Sequence, residues 1–179
     1  MAELAGRIRS SDPDAYADAY NQLKGPLIRY IQRFISDTSA SYDVLQDVFL
    51  KLWEQRSSMR DDTNLKALLY TMARNRSLNV IRKESRQADI DTDVLFELTH
   101  SDDSIDANLE HKVLREHVTE WLGKLPPRRA EAFMLSRFHD LKYSEVASIM
   151  KLSERTVQTH VLHALRDLRA KLSAFRQEQ

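Results

Sequence analysis

Three glycines, Gly6, Gly25 and Gly123, are all that 179 residues contain, and only four prolines join them as chain punctuators. Tight hairpins need residues that tolerate positive φ, which glycine supplies at least cost, so an architecture built on hairpins is disfavoured. Runs that alternate strictly between apolar and polar are also rare. Apolar residues instead recur at spacings of three and four along most of the chain, the periodicity of helices. The expected fold class is all-α.

The formal net charge is zero, yet the charges are segregated. Residues 1–86 carry a balance of +3, residues 87–110 hold eight acidic and no basic side chains, and residues 111–179 carry +5. Asymmetry of this kind says more about organisation and partners than the mean does. It divides the chain into a helical domain over 1–86, an acidic linker over 87–109 and a second helical domain over 110–179.

Several function classes drop out. With no cysteine, disulfide frameworks, thiolate catalysis and thiolate zinc sites are excluded together. No apolar run approaches the ~20 residues that cross a bilayer, and Met1–Ser11 lacks the apolar core of a secretory signal, so no membrane insertion and a cytoplasmic location are expected. His160 and His163 share a helical face, but a pair of histidines three residues apart is a weak signal for a metal site, and neither a phosphate-binding glycine loop nor a Ser/His/Asp set is apparent. No metal, no cofactor and no enzymatic activity are expected.

In the first block the spacing predicts helices over 14–34, with a kink or break at Gly25-Pro26, and over 42–56 and 65–86. Within Asp43–Arg56, Leu45, Val48, Phe49 and Leu52 form the core stripe. The opposite side still holds Leu50 and Trp53 among Asp43, Gln46, Asp47 and Glu54. An acidic surface with embedded Leu and Trp suits a protein partner, although Trp53 also lies close enough to the stripe to belong to the core. On the third helix Lys66, Tyr70 and Arg74 recur at i, i+4 and i+8, and Arg76, Arg82, Lys83 and Arg86 thicken the charge. Aromatic and basic residues on one face suit single-stranded DNA, which stacks its bases and needs its phosphates neutralised; a solvated basic face is the plain alternative.

In the second block one helix is expected from about Glu110 to Trp121, then others over 128–138, 144–150 and 154–175. Ser144 and Ser153 are placed to cap the last two across a turn of Lys151, Leu152 and Ser153. Val157, Val161, Ala164, Leu165, Leu168 and Leu172 form the buried stripe of the final helix. Ser153, Arg155, Thr156, Gln158, Thr159, Leu162, His163 and Arg166 lie at its start or away from that stripe. This is the pattern of a helix-turn-helix whose second helix enters a major groove. An ordinary helical hairpin with a solvated face is the alternative, and Leu162 speaks against it, since a thymine methyl or a sugar could receive that side chain.

The ordered set QDVFLKLWE, LLYTMARNRSLNVIRK, LPPRRAEAFMLSRFHDLKYSEVA and SERTVQTH resembles the extracytoplasmic-function sigma factors of bacterial RNA polymerase over most of residues 12–172. The resemblance implies a sigma factor that binds core polymerase and promoter DNA. Residues 1–86 then correspond to sigma region two, and Asp43, Gln46, Asp47, Leu50 and Trp53 to its grip on the clamp helices of the β′ subunit. Lys66, Tyr70, Arg74, Asn75, Arg76 and Arg82 correspond to the surface for the promoter −10 element, with Asn75 and the loop Ser58–Asn64 near its flipped base. Residues 110–179 correspond to region four, which meets the β flap and reads the −35 element through the recognition helix. The acidic linker would thread the channel that later holds nascent RNA. Asp140 and Lys151 stand where the family often has glycine, and Gln158, Thr159, His160 and His163 where many members have arginine. With no domain expected after Gln179, sensing would fall to another protein, an anti-sigma factor. A stand-alone helix-turn-helix regulator, acting without polymerase, is the competing reading.

Overall fold

The computed structural model describes residues 1–60, 62–84 and 117–177, and among these residues helices are joined by turns with no strand. The acidic segment expected over 87–109 lies outside the described residues. The chain divides into two compact units, Met1–Ile90 and Asp91–Gln179.

The first unit is built from α1 (Ala2–Arg9), α2 (Pro13–Ile31), α3 (Thr38–Glu54), a single 3₁₀ turn (Arg56–Ser58) and α4 (Leu65–Glu84). The sequence pattern gives no sign of α1, which buries Ala5 and Ile8. Asp12 ties it to α2. Its Oδ1 accepts from the backbone N–H groups of Asp14 (2.9 Å) and Ala15 (3.1 Å), and its Oδ2 accepts from Arg7 Nε at 2.8 Å. The Ala15 N–H and the Arg7 guanidinium together hold the Asp12 carboxyl below its ordinary range.

Of the kink or break expected at Gly25-Pro26, the break does not occur: α2 runs unbroken through Pro26. A side chain before proline normally collides with the proline ring in helical geometry, and Gly25 has no Cβ to collide. The carbonyl that Pro26 leaves without an N–H belongs to Gln22, on the exposed side of the helix where water can reach it. One stripe of α2, Ala15, Ala19, Leu23, Leu27, Tyr30 and Ile31, is buried.

Helix α3 starts four residues before Tyr42, because Asp37 Oδ1 accepts from the Ala40 N–H at 2.7 Å and caps it. The expected stripe Leu45, Val48, Phe49 and Leu52 is buried, joined by Val44. Tyr16 and Tyr20 of α2 meet Phe49 edge-on, with ring centroids at 6.1 and 4.9 Å. Helix α4 packs against both α2 and α3 and buries Leu65, Leu69, Tyr70, Ala73 and Leu78.

The second unit contains α5 (helical residues 117–123), α6 (Pro127–Arg137), α7 (Tyr143–Met150) and α8 (Glu154–Gln177). Helix α6 is central: every residue from Ala130 to Ser136 is buried. Trp121 of α5 and Phe175 of α8 close one end of this core, their rings 5.9 Å apart. Arg129 Nη1 donates to Asp167 Oδ2 at 2.7 Å and fastens α6 to α8.

Helices α7 and α8 form the helix-turn-helix. Glu145 Oε2 accepts from the Lys142 N–H at 2.8 Å and so closes the start of α7, while Ser144, expected as its cap, lies inside the helix. Lys has no acceptor, so only half of a capping box exists there. Lys151 ends α7 in the left-handed conformation, φ 56° and ψ 46°, and Asp140 has φ 51°. Both positions that the family often fills with glycine are therefore left-handed in this chain.

Candidate nucleic-acid and protein interfaces

The recognition helix divides its eight candidate residues into two kinds. Ser153 Oγ accepts from the Thr156 N–H at 3.0 Å and lies 2.7 Å from Thr156 Oγ1, so both side chains are engaged in the cap. Thr159 Oγ1 donates to the Arg155 carbonyl at 2.9 Å. Arg166 reaches Asp167 Oδ1 at 3.4 Å and His163 Nδ1 at 3.5 Å. Burial alone would raise the Asp167 carboxyl, but hydrogen bonds and charge from Arg129 and Arg166 outweigh it and hold that carboxyl low. Asp167 is thus a charged anchor for Arg166. Among the described residues the side chains of Arg155 and Gln158 make no hydrogen bond, both residues are exposed, and Leu162 is 65% exposed. These three, with Glu154 and Thr159, line a shallow depression on α8.

On α4 the structure corrects the expected face. Lys66 is half-buried, Tyr70 is completely buried and Arg74 nearly so. Tyr70 packs edge-on against Tyr30 of α2 at 5.1 Å, and burial pushes its hydroxyl pKa well up. The line from Lys66 to Arg74 therefore runs into the core and is not a continuous DNA-facing surface. The reason is that α4 is covered from two sides, by α2 and α3, and Tyr70 and Arg74 border the stripe Leu65, Leu69 and Ala73. Accessibility shifts to half-buried Asn75 and exposed Asn79, Arg82 and Lys83. Asn79 was missed from sequence, although it lies four residues after Asn75 on the same side of the helix. Arg82 Nη1 donates to Asn79 Oδ1 at 3.4 Å.

Arg76 and Asp47, expected to belong to two different interfaces, meet each other. Arg76 Nη2 and Nε lie 2.5 and 2.8 Å from Asp47 Oδ2, linking α4 to α3. The outer side of α3 presents exposed Asp43, Gln46 and Leu50, the last 56% exposed. Tyr42, two turns before Leu50, is 49% exposed and adds an aromatic ring that sequence reasoning had placed in no site. Trp53 is only half available. Its ring lies 5.1 Å from that of Tyr16, and the Arg56 guanidinium sits 4.3 Å above it. Arg56 also donates to the Trp53 carbonyl at 2.7 Å and to Ser11 Oγ at 2.9 Å.

Among the described residues no group of three or more His, Asp or Glu could hold a metal ion, and no helix is long and apolar enough to cross a membrane.

Comparison with known proteins gives a consistent picture. Residues 19–87 match the family described as Sigma-70 region 2, and residues 115–168 match Sigma-70, region 4. The chain is 28% identical over 171 residues to the ECF RNA polymerase sigma factor SigK of Mycobacterium tuberculosis, covering 93% of this chain and 90% of that one. It is 24% identical over 153 residues to the ECF RNA polymerase sigma factor SigM of Bacillus subtilis, covering 86% and 92%. Its fold is similar to that of CnrH, solved in complex with the cytosolic domain of CnrY (TM-score 0.67, 20% identity, 97% of each chain). It is also similar to RpoE of Bartonella quintana, solved with the anti-sigma factor NepR (TM-score 0.65, 21% identity, 88% of this chain and 96% of that one).

Proposed function

The chain belongs to the extracytoplasmic-function sigma factors of the sigma-70 family, and from that premise we propose how its two units divide the work of promoter recognition. Residues 1–86 bind core polymerase through the outer side of α3, with Leu50 as apolar contact and Asp43, Gln46 and Tyr42 around it, against the β′ clamp helices. The same unit holds the −10 element along α4, where Asn75, Asn79 and Arg82 offer amides and charge to unpaired bases and phosphates. Residues 110–179 meet the β flap and place α8 in the major groove of the −35 element. The acidic segment 87–109 occupies the RNA channel until the transcript displaces it. The protein supplies selectivity and leaves the chemistry to the polymerase, in the cytoplasm where that enzyme works. As with CnrH and RpoE, which were solved bound to protein partners, an anti-sigma factor is the class of regulator we assign to it.

The observation that carries this reading is the outer side of α3. A helix that already buries one full stripe has no folding use for exposed Leu50 and Tyr42 on the other. A regulator that works alone on duplex DNA leaves that side without a purpose. Mobility shifts on a promoter fragment test the division. The full chain alone should give no sequence-specific complex, and the full chain with core polymerase should give one that opens around the −10 element. Tight specific binding without core would refute it.

A further inference from the structure

Among the eight candidate residues of the recognition helix, internal hydrogen bonds engage Ser153, Thr156 and Thr159, while exposed Arg166 lies 3.5 Å from His163 and 3.4 Å from Asp167. Arg155, Gln158 and Leu162 remain with their side chains open to a ligand. Glu154, Gln158 and Leu162 follow one another at intervals of four, so they form a single line along α8, and all three border the same depression. The carboxylate of Glu154 would be repelled by phosphate, which turns this line toward the base edges and leaves phosphate to Arg155. An exposed leucine is ordinary by itself; Leu162 is singled out by sharing that depression with an uncommitted amide.

We propose that Gln158 reads an adenine and Leu162 covers the methyl group of a thymine, in neighbouring base pairs of the duplex upstream element. The assignment rests on the reading of α7 and α8 as the −35 reader and names the bases it selects. The Gln158 amide presents one donor and one acceptor side by side, which matches N7 and the N6 amino group of adenine. Leu162 can offer only apolar contact, and the thymine C5 methyl is the one apolar group on a major-groove edge. Four residues of helix advance about 6 Å, and base pairs are stacked about 3.4 Å apart, so the two contacts fall one or two steps from each other.

The test uses holoenzyme assembled from the full chain and core polymerase, transcribing a promoter library randomised over the upstream element. The wild type should enrich an adenine and a thymine one or two steps apart. Replacing that thymine by deoxyuridine removes only the methyl and should lower initiation about fourfold, the worth of one buried methyl group. Leu162→Ala, whose helix content is checked by circular dichroism, should transcribe the thymine and deoxyuridine promoters equally. Gln158→Glu should move the preference from adenine to cytosine at its own position, because a carboxylate accepts from the cytosine amino group, and leave the thymine preference in place. Equal use of thymine and deoxyuridine by the wild type, or an adenine preference that survives Gln158→Glu, would overturn the assignment while leaving α8 as the upstream reader. A library flat over the upstream element would overturn that broader reading, and the assignment with it.

Discussion

Leu50 and Trp53 lie one turn apart on α3, and the structure predicts that truncating them has different consequences. Leu50 is 56% exposed and touches little of the unit. Leu50→Ala should therefore change folding stability by no more than about 0.5 kcal/mol, the range of ordinary surface substitutions. Fully burying a leucine side chain is worth roughly 2 kcal/mol, so covering the exposed half against core polymerase should contribute about 1 kcal/mol. Loss of that contribution weakens Kd about fivefold. Trp53→Ala also removes the contacts with Tyr16 and the Arg56 guanidinium, which form without any partner. It should cost about 1–3 kcal/mol of stability as well as affinity. Thermal unfolding followed by circular dichroism gives the first quantity, and titration of labelled protein with core polymerase gives the second. If Leu50→Ala lowers Tm by several degrees and leaves Kd unchanged, the outer side of α3 belongs to the fold and the reasoning fails.

Three further outcomes follow from the same geometry. A double-mutant cycle on Asp47→Ala and Arg76→Ala should return a coupling of about 0.5–1 kcal/mol in unfolding, since both side chains are 43% exposed and solvent screens the pair; zero coupling would mean the contact contributes nothing to the joining of α3 and α4. Lys151→Gly should raise the unfolding temperature of the second unit, by up to about 1 kcal/mol of stability, because φ 56° strains a residue with a Cβ; a lower Tm would contradict the left-handed turn. The Asp12 carboxyl sits below its ordinary range, so its contribution is fully present above the unfolded value near ~4 and is lost as pH falls through the folded value. The acid-side loss of stability should therefore be smaller in Asp12→Ala, and an identical pH profile would show that the cap contributes nothing through charge.

What could be read from the sequence was what short-range chemistry decides. The cap at Ser153 and the buried stripe beginning Val157, Val161 and Ala164 each depend on residues within a few positions of one another. The stripe of α3 was legible for the same reason. Helix α4 was misread because two neighbours cover it, so polar and apolar residues do not separate cleanly into faces, and Tyr70 went inward against Tyr30. The Asp47–Arg76 pair joins residues 29 positions apart, and no local pattern announces it. The break expected at Gly25-Pro26 does not occur, and the residue before the proline matters to that outcome. Gly25, with no Cβ, relieves one of the clashes that a proline makes with the residue before it in a helix.

Two units reading two separated promoter words is the central claim, and transcription from a genomic promoter library with sigma-free core polymerase tests it most directly. Mapped start sites should share an upstream word and a downstream word at a constant spacing. Gln158→Ala should relax the upstream word alone, and Asn75→Ala the downstream word alone. Transcripts that share only one word, or a single substitution that degrades both words together, would contradict the division of labour between the units.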